Sequence, residues 1–434
     1  MPVGLAHGVL WAVGLLPAAI AVLALPGESL AGTSAVLNAL GRVSGIAGLG
    51  LMLVAAIFSV RIPGIDRLFG GLTSLWRTHH LMGGVSFLLL LAHPLLLSLA
   101  AAEVSIGAAV TVLFPATGGL ATWLGWVALL LMMIFLAPSF AFFGPPRYQR
   151  WKHLHKLSGV AAVLALVHTW WLARSIPAPW STVIWSTLAL AAVIALAYAL
   201  LLARRAHRYP YQVVAVAHPA NNVVELSLRP LAEPLRYQAG QFVYLTPRDR
   251  TLSAGQGEEH PYTISSAPEE ANLRIAIKDL GDASRAIQSI SEGSSVDVMG
   301  PYGAFFPAHG NEAELWIAGG IGVTPFLGRA RHLASAGHPV DIQMIYCVQD
   351  ESRALFAEEL RALSEQIPGF RLTMHYFYQE GPLSVDFVRV HCEDCGERQA
   401  YVCGPGPLNG LARQVLLESG LPRHRYHSEE FNLL

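Results

Sequence analysis

His79-His80-Leu81-Met82-Gly83 and His155-Lys156-Leu157-Ser158-Gly159 are near-copies of one pattern. Each stands near the start of a long apolar run that holds one further histidine, His93 in the first and His168 in the second. Six such runs fill the first half of the chain, at Gly8–Leu25, Val43–Val60, His79–Ala101, Leu120–Ala141, His153–Ala173 and Thr182–Ala203. Each is close to the roughly 20 residues that span a hydrocarbon core as a helix. The first lacks a Lys or Arg ahead of its apolar core, so it reads as a retained helix rather than a cleaved leader. Ionisable groups inside a membrane are costly and mark function by default. The histidines of runs three and five are therefore the residues that decide what this half is for.

Each cluster lies at one end of its run, with the single histidine deep toward the other. His79 and His93 are 14 residues apart, about 20 Å along a helix, and His155 and His168 are 13 apart. Two helices carrying two such pairs can clamp two haems stacked across the bilayer, one imidazole from each helix on each iron. Helix geometry alone leaves the lower ligand of run five open. At about 100° per residue, a spacing of 14 returns to within roughly 40° of the starting face. A spacing of 13 misses by about 140°, and His153 to His168 by about 60°. His153 thus competes with His155 unless the helix is distorted. His7 and His80 read as ordinary interfacial histidines, although His80 can face a haem propionate.

The charge distribution agrees with a two-part chain. Of 434 residues, 53% are hydrophobic and 14% charged, against about a quarter charged in soluble proteins. The net charge of −1 conceals +7 over residues 1–204 and −8 over 205–434. No basic run points to nucleic acid. Four cysteines, all after residue 340, exclude a disulfide framework. Arg61, Arg67 and Arg77 lie between runs two and three. Arg147, Arg150, Lys152 and Lys156 lie between four and five, and Arg204, Arg205 and Arg208 follow run six. The opposite loops hold only Arg42 and Arg174, so both termini and the second half are expected in the cytoplasm of a multi-pass membrane protein.

After Arg208, β-branched and aromatic residues cluster or alternate at Tyr211–Ala217, Val223–Leu228, Phe242–Leu245, Leu273–Ile277 and Val296–Met299, as in a small antiparallel barrel. From Leu315 strands alternate with helices. Strands are expected at Leu315–Ala318, Ile342–Val348, Leu372–Tyr378 and Ala400–Cys403. Helices are expected after Pro325, over Ala354–Gln366 and from Leu408. That alternation predicts a parallel sheet. His260-Pro261-Tyr262-Thr263-Ile264-Ser265-Ser266 places a cation, an aromatic ring and hydroxyls, Ser266 among them, where a strand can hold a flavin. Ile277-Lys278 leads into a glycine turn, Gly281 with Ser284, suited to a pyrophosphate. Gly319-Gly320-Ile321-Gly322-Val323-Thr324-Pro325 follows a strand and opens a helix, whose unpaired N–H groups and dipole favour phosphate. Cys403-Gly404-Pro405 ends a later strand of the same sheet, and such sheets bind ligands at the carboxyl ends of their strands. Cys392-x-x-Cys395 has no second pair to close a zinc site and reads as a surface loop.

Taken together, these residues resemble the ferric reductase and NADPH oxidase superfamily, and its compact bacterial members above all. The resemblance runs through the two histidine pairs, His260-Pro261-Tyr262-Thr263, Leu280-Gly281-Asp282-x-Ser284, Gly300-Pro301-Tyr302-Gly303, Gly319-Gly320-x-Gly322-x-Thr324-Pro325, Cys403-Gly404-Pro405 and Glu430-Phe431. It implies a six-helix bundle with two b-type haems over residues 1–204, an FAD-binding barrel over 205–306 and an NAD(P)H-binding α/β domain over 307–434. It also implies His79 with His155 on the inner haem and His93 with His168 on the outer, which selects His155 over His153. Phe431 matches an aromatic that covers the flavin, with Asn432-Leu433-Leu434 extending past it. Tyr262 replaces the Phe of the oxidases, and His80 stands where many bacterial members have Arg. The implied activity is an NAD(P)H oxidase or ferric-chelate reductase, with electrons passing from cytoplasmic NAD(P)H through FAD and both haems. Arg353 is the candidate for a 2′-phosphate contact, with a lean to NADPH over NADH. The acceptor is expected to be small and diffusible, oxygen or chelated ferric iron, since only Glu28 and Glu103 lie on the far side. Arg42, at the outer end of run two, is the candidate to stabilise superoxide or hold an anionic chelate. The competing reading is a subunit that delivers electrons to a partner protein.

Overall fold

The computed structural model describes residues 3–25, 30–139, 148–173, 175–202, 207–306, 312–337 and 339–429. Phe431, Glu430, Glu28, Arg147, Arg174, Arg204 and Arg205 lie outside them. The chain divides into two compact units, one made of Met1–Arg61 and Leu75–Leu202, the other of Ile62–Ser74 and Ala203–Leu434.

The first unit is helical: α1 (Val3–Leu23), α2 (Thr33–Phe58), α3 (Leu72–Ala102, whose first turn belongs to the second unit), α4 (Ile106–Leu113), α5 (Leu120–Leu136), α6 (Tyr148–His155), α7 (Leu157–Leu172) and α8 (Ala178–Ala197). Among the described residues α1, α2, α3 and α8 are long and apolar enough to cross a membrane, and α5 is an apolar helix of 17 residues. The apolar run at His153 is divided at Lys156 into α6 and α7. Glycines on α2 let its neighbours approach. A Cβ on Gly50 would lie 2.2 Å from the Gly14 carbonyl of α1. A Cβ on Gly41, Gly45 or Gly48 would meet Leu97, His93 or Leu90 of α3 at 2.7 to 2.9 Å. Small residues at such spacing are how membrane helices pack closely. The Ser86 hydroxyl, buried in α3, donates to the Gly48 carbonyl at 2.7 Å. Leu81, Leu88 and Leu95 form an exposed stripe on α3. His79, Ser86 and His93 follow the same seven-residue step two positions earlier, and so lie about 200° round the helix, on its inward face.

The second unit has two sheets. Strands β1 (Arg208–Ala220), β2 (Val223–Pro230), β3 (Phe242–Pro247), β4 (His260–Thr263), β5 (Leu273–Lys278) and β6 (Ser295–Tyr302) form an antiparallel half-barrel in the order β4-β3-β6-β1-β2-β5. An Ile264–Ile275 bridge joins its two edges. Val213, Val224, Leu226, Val243, Leu245, Ile275, Ile277 and Val298 fill its interior. Strands β7 (Glu314–Gly319), β8 (Ile342–Val348), β9 (Phe370–Tyr376), β10 (Gln399–Cys403) and β11 (Tyr426–Glu429) form a parallel sheet in the order β11-β10-β7-β8-β9. Several features differ from the sequence expectation, and Cys392 and Cys395, read as a surface loop, are both buried in the core beside the parallel sheet. Phe377 and Tyr378 leave β9 and begin a short helix, Phe377–Glu380, and Phe356 interrupts the helix expected over Ala354–Gln366, which starts at Ala357. Strand β11 has no counterpart in the sequence reading, because Tyr-His-Ser-Glu is short and polar.

Candidate functional site

The four deep histidines meet in two pairs. The ring centroids of His79 and His155 are 6.2 Å apart, and those of His93 and His168 are also 6.2 Å apart. Metal–imidazole bonds of about 2 Å and a ring radius of about 1.1 Å put the centroids of two imidazoles on one metal about 6 Å apart. Three of the four rings are also oriented by backbone. Nδ1 of His79 bonds the Ala55 carbonyl at 2.9 Å, Nδ1 of His93 the Gly41 carbonyl at 2.6 Å, and Nδ1 of His168 the Ala121 carbonyl at 2.8 Å. A metal-ligating histidine commonly donates its other N–H in this way, which fixes the tautomer and leaves Nε2 for the metal. Nδ1 of His155 is buried without a hydrogen-bond partner among the described residues, and its ring packs against Phe135 and Trp151 at 5.2 and 5.0 Å.

At Lys156 the turn is tightened: its φ −63° and ψ −20° stay helical, while the Lys156 and Gly159 N–H groups bond to carbonyls three residues back. A straight helix turns His155 away from His168's face. Here α6 ends at His155 and α7 begins at Leu157, so the 13-residue spacing no longer describes one regular helix. His155 faces His79, while His153 is exposed.

Around the second pair lies a cavity of about 360 Å³, lined by Arg42, Leu49, Leu90, His93, Trp126 and His168, with further mostly apolar side chains. Glycines make room beside both rings. A Cβ on Gly45 would be 2.8 Å from Nδ1 of His93, and one on Gly125 would be 2.6 Å from Nδ1 of His168. Apolar walls, paired imidazoles and glycine clearances fit a haem.

In the half-barrel, β4 pairs with β3 so that Tyr262 stands opposite Val243 and Thr263 opposite Phe242. Thr263 is 3% exposed and its Oγ1 has no hydrogen-bond partner among the described residues, an orphan that a flavin atom would satisfy. Burial pushes the Tyr262 hydroxyl up from its ordinary value. Pro261 lies beside it, opposite Tyr244. Nε2 of His260 lies 3.2 Å from Glu258 Oε2, so the ring is held against a carboxylate. The Ser266 hydroxyl is taken up by Tyr237 and by the Arg274 backbone N–H, so it holds the strand end rather than standing free. Ile277 is in the core and Lys278 closes β5 against Val223. Ser284 Oγ accepts the N–H groups of Leu280 and Gly281, shaping the turn from within.

The parallel sheet reverses direction of growth between β7 and β10, the switch point at which such sheets bind ligands. The two turns expected to hold a dinucleotide meet there. A Cβ on Gly322 would lie 2.3 Å from the Cys403 carbonyl, and one on Gly319 would lie 3.4 Å from Cα of Gly404. Gly320 has φ +54°, a left-handed value that favours glycine, and open space in front of it. Val323 and Thr324 are buried, Thr324 donates to the Ile321 carbonyl, and Pro325 opens the helix Thr324–Ala336. Pro405 precedes the helix Gly406–Glu418. Arg353 is half exposed, donates to the Tyr378 hydroxyl at 3.1 Å and lies 3.6 Å from Asp350.

Burial pushes Glu429, at the end of β11, up to about 8, with Asp66 as a like-charged neighbour. Asp66 is itself raised by burial, and its Oδ2 accepts the Gly303 N–H at 2.8 Å. The sequence reading singled out neither acid, since nothing in local sequence marks them as buried.

Comparison with known proteins follows the same division. Residues 44–166 match the family described as "Ferric reductase like transmembrane component", residues 208–316 "FAD-binding domain", and residues 316–414 "Oxidoreductase NAD-binding domain". The ferredoxin reductase component of 3-ketosteroid-9-alpha-monooxygenase from Rhodococcus rhodochrous is 30% identical over 210 residues, 47% of this chain and 58% of that protein. A flavohemoprotein from Deinococcus radiodurans is 28% identical over 45% of this chain and 51% of its own length. The chain thus spans little more than half the length of these relatives. The structure of a flavohemoglobin from Malassezia yamatoensis aligns with a TM-score of 0.51 at 20% identity, covering 92% of this chain and 98% of that one, a likeness of fold alone. The chain joins a ferric-reductase-like transmembrane component to FAD-binding and NAD-binding domains of the ferredoxin–NADP reductase kind.

Proposed function

We propose that the protein is a transmembrane flavocytochrome b that moves electrons from cytoplasmic NAD(P)H to a small acceptor across the membrane. The carrying observation is the matched geometry of the two histidine pairs, both with centroids at 6.2 Å and each with at least one ring fixed by a backbone carbonyl. When bound, FAD would supply hydride acceptance from NAD(P)H and two b-type haems would supply one-electron transfer. The chain's own part is to hold and aim. His79 and His155 ligate the inner haem, and His93 and His168 the outer. Thr263 and Tyr262 hold the flavin, and Gly319, Gly320, Gly322 and Gly404 admit the dinucleotide phosphates. Arg353 favours NADPH, and Phe431, outside the described residues, is assigned to the flavin ring by its resemblance alone.

On this reading all six apolar runs span the bilayer, with α5, at 17 residues, as a short crossing and α6–α7 together as another crossing, and the Lys/Arg bias puts the dehydrogenase half in the cytoplasm. Arg42 supports the choice of a small anionic product or ligand. It lines the same cavity as His93 and His168, and a guanidinium there stabilises superoxide as it forms or holds a ferric chelate.

The test is a reduced-minus-oxidised spectrum of purified membranes with alanine variants. Two low-spin b-type haems are expected in the wild type. His93→Ala or His168→Ala should lose the outer haem and keep flavin reduction. Loss of a haem in His153→Ala, with both retained in His155→Ala, would overturn the inner ligand assignment.

A further inference from the structure

Helix Thr324–Ala336 begins on the glycine loop at the switch point and runs back against the flavin strand. Two contacts join them. Gly328 lets the helix in: a Cβ there would lie 3.0 Å from the Ile264 carbonyl and 3.2 Å from that of Ser266. One turn on, Arg331 closes the contact from inside. Its side chain is 6% exposed. Nη1 donates to the Ser265 carbonyl at 2.7 Å and to Glu225 Oε1 on β2 at 3.2 Å. Nε and Nη2 grip both oxygens of Glu359, on the helix Ala357–Gln366, at 2.7 and 2.8 Å. Glu225 Oε1 in turn accepts the Ser265 hydroxyl at 2.8 Å.

One guanidinium therefore ties four segments: β2, the residues that follow β4, the helix behind the dinucleotide loop, and the next helix of the parallel sheet. Phe356, directly before that last helix, holds φ +55°, strained for a bulky residue, and its ring lies 6.0 Å from Cζ of Arg331. A buried ion pair is a poor way to gain stability, since apolar side chains of equal volume do as well or better. What the fork supplies instead is direction, because each N–H fixes an angle as well as a distance.

We propose that Arg331 is a positioning residue that sets the register between the dinucleotide loop and the flavin strand, and thereby the rate of hydride transfer. The proposal rests on the FAD and NAD(P)H reading above but not on the haems. Its leverage follows from helix geometry. Arg331 lies seven residues from Thr324, about 10 Å along the axis. A tilt of about 5° at Arg331 moves the loop by about 1 Å, and an error of that size costs roughly 100-fold in a positioned reaction. The reaction balances: NAD(P)H gives a hydride, one proton with two electrons, to FAD and leaves as NAD(P)+, and two ferricyanide ions then take one electron each as the proton is released to solvent.

The experiment uses the full chain in detergent, saturated with FAD, with NAD(P)H and ferricyanide as soluble one-electron acceptor. Arg331→Gln removes the fork, and Gly328→Ala wedges the same contact open without touching any charge. In both variants kcat per bound FAD is expected to fall roughly 10- to 100-fold. The KM for NAD(P)H should stay within about threefold and FAD content should be unchanged. Amide hydrogen exchange over residues 264–267 and 324–331 should quicken in parallel. If Arg331→Gln does not fold, Gly328→Ala carries the test. An unchanged kcat per bound FAD, or a loss carried by KM alone, overturns the proposal. A wild type that reduces no ferricyanide from either nucleotide overturns the underlying dehydrogenase reading instead, and unaltered hydrogen exchange would then still count against Arg331.

Discussion

Gly125→Ala on α5 is the sharpest test of the outer histidine pair. The added Cβ would lie 2.6 Å from Nδ1 and 2.7 Å from Cε1 of His168, against an ordinary contact of 3.4 Å or more. The ring must therefore retreat by about 0.8 Å. It is not free to do so, because Nδ1 is held at 2.8 Å by the Ala121 carbonyl one turn earlier on the same helix. A retreat of that size stretches the bond to about 3.6 Å, beyond hydrogen-bonding range. Losing the partner that orients a metal-ligating histidine typically costs 10- to 100-fold in metal affinity. The assay is haem per polypeptide by pyridine haemochrome, with the spectrum of each haem followed during reductive titration. The expected result is selective loss or high-spin conversion of the outer haem, with the inner haem and flavin content unchanged. Gly159→Ala on α7, where an added Cβ meets nothing within 4 Å, serves as the control. Two unaltered low-spin haems in Gly125→Ala would refute the argument that His168 is held as a ligand by this clearance.

Three further outcomes are expected. Gly320→Glu forces a side chain into a left-handed backbone site and sets a carboxylate where phosphate must lie, so the KM for NAD(P)H should rise at least roughly tenfold; an unchanged KM would move the dinucleotide elsewhere. Glu429 binds its proton more tightly folded than unfolded, so stability should fall as pH rises from about 4.5 to about 8. Asp66 adds to this in the same direction, and Glu429→Gln should flatten the Tm–pH curve over that window; an identical curve would place the titration on other groups. In proteoliposomes driven by NADPH, Arg42→Ala should slow formation of superoxide or of ferrous iron, each followed separately. Equal rates would remove Arg42 from the acceptor site, and no turnover with either acceptor in the wild type would favour a protein partner.

The histidine pairs were legible because an imidazole in an apolar run has few other reasons to be there, and because the pattern occurs twice. The choice between His153 and His155 was not legible from periodicity, which assumes a regular helix. The tightened turn at Lys156 has no proline to announce it. The strands of the half-barrel could be read from β-branched clusters such as Val223-Val224 and Val243. Strand β11 could not, since Tyr426–Glu429 is held by its register against β10 rather than by its own composition. Arg331 looks, in sequence, like one more cation on a helix that also carries Arg329. Its role lies wholly in what the tertiary fold brings around it, and no spacing along the chain encodes Glu225, Ser265 and Glu359 together.

Residues Ile62–Ser74 separate two apolar runs in the sequence, yet they fold as part of the flavin and dinucleotide unit, with Asp66 accepting the Gly303 N–H and Gly71 close to Ala304. This unit is thus discontinuous in the chain. A protein cut at residue 205 would leave the Gly303 amide without its carboxylate and the Ala304 backbone uncovered. The same thirteen residues continue directly into the helix that carries His79, so translation completes the second unit only after its first piece has been made between two long apolar helices. Assembly of this unit must therefore return to an early loop once Gly303 has been made, and insertions in that loop should damage the flavin domain as directly as mutations within it.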